Sequence, residues 1–336
     1  MLRTRKISTT ARFPRRRLAA ATAMAAAGAL ALAGCSGSSD AAEAPSSSAA
    51  VGKHLSVVTS TSVYQSIVSH ILGDQGDVTA LITSAAQDPH SYEATSRDKL
   101  TVSKADLVVL NGGGYDTFAE QMAGAGSDVM TAFDLVGPAE TPELAEGEKA
   151  PTEVDGHEPN EHLWYDLNKM EQLVPHLVDE LGKLDPAGVD GFKQRGDEFT
   201  AQLKDMQSSL ADIAKTADGR SYMMTEPVPQ ALLDQAGLKD ATPDGLAEAV
   251  EEGDEIAPLT MKQATDLLGG KTEVDGKKVA VFAYNKQTAD EQTASLGDAA
   301  KSGGVPELDV VEAPPAGTDY IEWMTSNIDN LAACLK

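Results

Sequence analysis

Cysteine is nearly absent: the 336 residues contain two, Cys35 and Cys334. A disulfide framework is therefore excluded, and if Cys35 is chemically occupied no internal disulfide can form at all. Stability must come from buried apolar surface, for which residues 53–336 suffice as one large or two medium domains. Positive charge is also scarce, with 27 Lys and Arg against 52 Asp and Glu and a net charge of −25. Seven of the basic residues (Arg3, Arg5, Lys6, Arg12, Arg15, Arg16 and Arg17) sit at the amino terminus, where there are no acids. Twenty basic residues then face 52 acidic ones in the remainder, a charge of −32. Nucleic-acid binding is excluded by repulsion from the phosphate backbone. An acidic surface favours solubility and raises the local cation concentration. Long apolar runs are missing too, the one uncharged stretch at 18–32 being shorter than the roughly 20 residues of a spanning helix. No His-Glu-x-x-His and no Gly-x-Ser-x-Gly occurs, and Gly112-Gly113-Gly114 lacks the Lys-Ser/Thr of a phosphate loop and reads as a tight turn.

What is present begins with a leader. The basic cluster, the Ala-rich run at 18–32 and Leu32-Ala33-Gly34-Cys35 have the layout of a secretory signal ending in a lipobox. The expectation is removal of residues 1–34, diacylglycerol on Cys35 and an extracytoplasmic protein anchored to the cell membrane. A short anchor helix is the alternative, and Arg15-Arg16-Arg17 leaves twin-arginine export open. Residues 35–52 carry Cys35 and a Ser/Ala/Gly-rich tether.

From residue 55 onward, short apolar runs alternate with amphipathic segments. Strands are expected at 55–59, 78–82, 107–110 and 128–133, and again at 221–225, 278–284 and 308–311. Helices are expected at 62–72 and 320–335. Continuous apolar strands separated by helices predict an α/β fold with parallel sheets covered on both faces. Between the two sets, Phe192, Phe199, Leu203, Met206, Leu210 and Ile213 form a narrow stripe at helical spacing. A helix over 188–216 would be about 43 Å long. It is long enough to cross two lobes, although an ordinary helix packed on one sheet has the same stripe.

Six histidines are available. His70 and His176 fall inside helical patterns, His54 adjoins the tether, and His157 sits in an acidic stretch. His90, in Asp88-Pro89-His90-Ser91-Tyr92-Glu93, and His162, in Glu161-His162-Leu163-Trp164-Tyr165-Asp166, occupy loops. His90 follows a strand, where open α/β sheets bind ligands, and a neutral imidazole there suits a metal. A structural role for either remains open. Glu226 and Glu312 each follow a strand of the second set.

Asp88-Pro89-His90-Ser91-Tyr92-Glu93, the segment 105–112, Glu161-His162-Leu163-Trp164-Tyr165-Asp166, Glu226-Pro227-Val228, Tyr284-Asn285-Lys286-Gln287-Thr288 and Tyr320-Ile321-Glu322-Trp323-Met324 occur in an order that resembles the zinc/manganese solute-binding lipoproteins of ABC importers, cluster A-I. The resemblance covers roughly residues 53–336. It implies two α/β lobes, each a parallel-type sheet with helices on both faces, joined by one long rigid helix. The divisions would be 53–187 for the first lobe, 188–216 for the helix and 217–336 for the second lobe. It also implies Zn²⁺ or Mn²⁺ held in the interlobe cleft by His90, His162, Glu226 and Glu312, with Asp309 an alternative to Glu312; such a set suits a divalent ion, lacks the thiolates that Cu(I) prefers, and has carboxylates that favour Mn²⁺ while intrinsic affinity favours Zn²⁺. The implied partners are an ABC permease, its ATPase and the membrane, reached through lipid on Cys35; the protein itself would be a monomer without enzymatic activity. Two readings from other classes are a tethered metallo-hydrolase and an adhesion or scaffold protein with a structural metal.

Overall fold

The computed structural model describes residues 52–84, 87–123, 126–137 and 159–336. The leader, Cys35, the tether as far as Val51 and His157 lie outside them.

Strand β1 (Leu55–Thr61) leads into α1 (Ser62–Leu72), then β2 (Gly76–Ile82), α2 (Ser96–Val102), β3 (Leu107–Leu110), α3 (Thr117–Glu120), β4 (Asp128–Thr131) and α4 (Ala132–Val136). All pairings are parallel, in the order β2-β1-β3-β4. Every residue of β3 is buried, as is all of β1 except Ser56. A parallel sheet covered on both faces buries its strands in this way. The expected strand at 128–133 stops at Thr131, because the Phe133 amide turns to the Asn111 carbonyl and opens a helix.

Helix α5 (Leu167–Leu184) follows, its first turn capped by the Asp166 carboxylate, which accepts from the Asn168 and Lys169 amides. Then comes α6 (Val189–Ala217), 29 residues long, with Phe192, Phe199, Leu203, Met206, Leu210 and Ile213 all buried. It packs on α1 and α5 and, farther along, on later helices. Gly196 lets α5 approach closely, since a Cβ there would lie 2.8 Å from Val178 Cγ2.

The second set runs β5 (Ser221–Met224), α7 (Gln230–Gln235), β6 (Lys239–Asp240), α8 (Leu246–Glu251), α9 (Pro258–Leu268), β7 (Val281–Asn285), α10 (Glu291–Gly303), β8 (Glu307–Val310) and α11 (Tyr320–Cys334). Its sheet is again parallel, in the order β6-β5-β7-β8. The protein is thus α/β, with two four-stranded parallel sheets of matching order. Strand β7 begins three residues later than the 278 expected from its apolar pattern.

Residues from Ala50 onward form one compact unit. Val58, Val108 and Leu110 pack with Phe118 on one face of the first sheet, and Met223 and Phe282 pack with Leu268 and Leu296 on one face of the second. The remaining faces share a single continuous core with α6 and α11. Polar ties cross it. The Tyr320 hydroxyl donates to the Trp164 carbonyl at 2.6 Å, Tyr165 donates to the Val311 carbonyl at 2.7 Å, and the Tyr320 amide donates to Ser66 Oγ at 2.8 Å.

Candidate metal centre

His90 is set by its own turn, where its amide donates to Asp88 Oδ1 at 2.8 Å. His162 precedes the short helical turn Leu163–Tyr165, and its side chain is fully buried. It rests edge-on against Trp164 and Tyr115, with ring centroids 5.1 and 5.7 Å away. Tyr115 is delivered by the glycine turn after β3, where Gly112, Gly113 and Gly114 have φ of 78°, 68° and 100°. Three successive positive φ values are what glycine alone tolerates readily. The buried Asp116 carboxylate closes this turn by accepting from the Asn111 and Gly112 amides.

The orientation of the His162 ring follows from its neighbour. Asn160 Nδ2 donates to the Pro227 carbonyl at 2.8 Å, so Asn160 Oδ1 faces the imidazole. That oxygen only accepts, and His162 Nδ1 lies 3.0 Å from it. Nδ1 therefore donates to it, and Nε2 is left facing Glu251 Oε1 at 3.5 Å without a hydrogen-bond partner. A second hydrogen bond of this kind is how metal-binding imidazoles are oriented. Asn160→Ala should lower metal affinity about tenfold or more; a calorimetric titration matching the wild type would remove Asn160 from that role.

Glu226 directly follows β5, at the carboxyl end of its sheet. Only 2% of it is exposed; Oε1 accepts from the Thr288 hydroxyl and Oε2 has no partner. Burial, reinforced by repulsion from Glu251, pushes its carboxyl up to about 7. Glu312 follows β8, and its Oε2 accepts from the Tyr115 hydroxyl at 3.1 Å. Burial and repulsion from Glu251 and Glu226 push it to about 7 as well. Asp309 instead pairs with Lys286 at 2.5 Å and is largely exposed.

Two carboxylates that the sequence did not single out as ligands join these residues. Glu161 Oε1 lies 3.3 Å from His90 Nε2. Glu251, the last residue of α8, places Oε1 at 3.4 Å from His90 Nε2 and 3.5 Å from His162 Nε2. Hydrogen bonds to Glu161 and Glu251 push His90 up to about 10. Atoms of His90, Glu161 and Glu251 fall within 4.8 Å of one another, a spacing open to a cation. Among the other described histidines, His54 pairs with Asp77, His70 packs on Phe199, and His176 is exposed on α5.

Residues 57–334 match the family described as zinc-uptake complex component A, periplasmic. The manganese-binding lipoprotein MntA of Halalkalibacterium halodurans is 25% identical over 289 residues, 85% of this chain and 90% of that protein. The manganese ABC transporter substrate-binding lipoprotein PsaA of Streptococcus mitis is 22% identical over 255 residues, 70% of this chain and 81% of that protein. The structure of the periplasmic zinc-binding protein TroA from Treponema pallidum overlays with a TM-score of 0.66 at 21% identity, covering 84% of this chain and 99% of that one. At that identity the overlay establishes the common fold.

Proposed function

The chain belongs to the family of periplasmic zinc-uptake complex component A proteins, and we propose on that premise that it captures Zn²⁺ or Mn²⁺ between its two sheets and delivers the ion to an ABC permease driven by an ATPase. The ligands are His90 and His162 from the first half of the chain and Glu226 and Glu312 from the second. One observation carries the assignment: the fully buried His162 holds an Nε2 without a hydrogen-bond partner beside Glu251, whose charge also acts on the buried Glu226 and Glu312 that follow strands. Buried carboxylates that repel one another are costly without a cation, and a divalent ion relieves that repulsion. The imidazoles add donors that both Zn²⁺ and Mn²⁺ accept.

The protein acts as a monomeric carrier and not as an enzyme. A hydrolytic metal needs an open coordination position and a nearby base, and four protein ligands leave little room for either. Residues 1–34 serve as the export signal, and lipid on Cys35 followed by the tether at 35–52 holds the protein outside the cell membrane. Residues 53–187 and 217–336 act as the two metal-binding lobes, with 188–216 as the linking helix. Cys35→Ala is expected to abolish lipidation and leave an uncleaved or soluble product; mass spectrometry finding the normal lipid on that variant would sink the anchor assignment. Metal analysis of the purified protein, with calorimetric titrations of Zn²⁺ and Mn²⁺, tests the capture itself. One ion per chain, bound tightly, is expected, and failure to bind either would overturn it.

A further inference from the structure

Glu251 stands outside the four ligands assigned above, yet its carboxylate reaches both imidazoles, at 3.4 Å from His90 Nε2 and 3.5 Å from His162 Nε2. Two atoms bound to one ion at about 2.1 Å lie roughly 3.0 Å apart at octahedral angles and roughly 3.4 Å apart at tetrahedral ones. The spacing of Glu251 Oε1 from each nitrogen is that of fellow ligands. The contact with His162 is the more telling one. Its Nδ1 is committed to Asn160, so Nε2 is the nitrogen that faces the carboxylate, and it is buried with no hydrogen-bond partner. An ion placed between Nε2 and Glu251 Oε1 would take one donor atom from each. Glu251 Oε2 is buried as well and has no hydrogen-bond partner.

We propose that Glu251 is itself a metal ligand and that it biases the site toward Mn²⁺ relative to Zn²⁺, an inference that rests on the metal-capture reading above. With it, the donors become two imidazoles and three carboxylates. Zn²⁺ is satisfied by four ligands in a tetrahedron. Mn²⁺ favours carboxylate oxygen and higher coordination numbers, so an added oxygen and an added negative charge help it more. Glu161 also approaches His90, at 3.3 Å, and the charge of the adjacent His162 acts on its carboxylate, but its short ion pair is to His90 alone. It serves as the comparison: an acid paired with one imidazole and not with both.

The test uses the purified protein and four forms, the wild type, Glu251→Gln, Glu161→Gln and His90→Ala, each titrated calorimetrically with Mn²⁺ and with Zn²⁺. Glutamine keeps the volume and removes the charge, and thermal melting of the metal-free forms confirms folding. Glu251→Gln should weaken Mn²⁺ at least tenfold and Zn²⁺ by less, and X-ray absorption of the Mn²⁺ form should lose one oxygen ligand. Wild-type affinities in Glu251→Gln, with both metals weakened in His90→Ala, would overturn the role of Glu251 while leaving the capture site in place. Equal losses for the two metals would overturn the selectivity, as would a larger Mn²⁺ loss in Glu161→Gln. A wild type that bound neither ion would remove the capture reading and the proposal together.

Discussion

His162→Ala is expected to weaken Zn²⁺ and Mn²⁺ binding at least a hundredfold, about 2.8 kcal/mol. The imidazole is fully buried, its orientation is fixed by Asn160, and its Nε2 has no hydrogen-bond partner. Nothing nearby can replace it, because Tyr115 and Trp164 fill the remaining space with rings. The alanine variant also opens a cavity against those rings, so its melting temperature should fall. His162→Gln separates the two effects. It restores most of the volume, and its stability should recover further than its affinity. Calorimetry on both variants decides the matter. Wild-type affinity in either would show that the ion is held elsewhere.

Removing the acids should have the opposite effect on the metal-free protein. Glu226 and Glu312 are pushed to about 7, above the ordinary carboxylate range. A group whose folded pKa is raised contributes stability that is complete below its unfolded value, near 4.5, and lost as the pH climbs through the folded value. His90, pushed up to about 10, has the same sign at higher pH, between about 6.5 and about 10. The metal-free protein should therefore lose stability steadily from pH 4.5 upward. Ionising Glu226 alone costs on the order of 3 kcal/mol. The double variant Glu226→Gln, Glu312→Gln should melt higher than the wild type at pH 8 without metal, and match it more closely at pH 4.5. Metal reverses the trend, since it binds the ionised carboxylates and the deprotonated imidazole. The gain in melting temperature on adding Zn²⁺ should widen from pH 5 to pH 8 in the wild type and collapse in the double variant. A gain that is flat or shrinking with pH would contradict the placement of these acids beside the metal.

The sheets were legible because a strand buried on both faces leaves an unbroken apolar run, as in Leu107–Leu110. Helix α6 was legible because its stripe repeats at helical spacing over about six turns. Boundaries shifted where a single hydrogen bond outweighed the pattern, as when the Phe133 amide met the Asn111 carbonyl. His90, His162, Glu226 and Glu312 were proposed from local motifs around strand ends and loops; in the structure Glu251 lies beside both imidazoles and Tyr115 touches both rings and Glu312, while the cation-spaced group among the described residues joins His90 to Glu161 and Glu251. Glu251 was not legible. It sits among Glu248, Glu252, Asp254 and Glu255 in an acidic chain, and only the fold brings it to two histidines far away in sequence. Asn160 and Tyr115 were hidden for a similar reason, since their roles depend on a partner's orientation and no residue pattern encodes that.

The core that runs without interruption from the first sheet through α6 and α11 to the second has a mechanical consequence. Swinging one sheet away from the other would tear a packed interior and break the ties made by Tyr165 and Tyr320, so the molecule behaves as a stiff bracket and not as a pair of jaws. If His90 and Glu251 hold the ion as proposed, a response to cargo is expected at the turn and the helix end that carry them. A transport partner distinguishing a full carrier from an empty one then has to feel the charge and contour of those few residues. Unloading likewise becomes a matter of competing for the ion one coordination bond at a time.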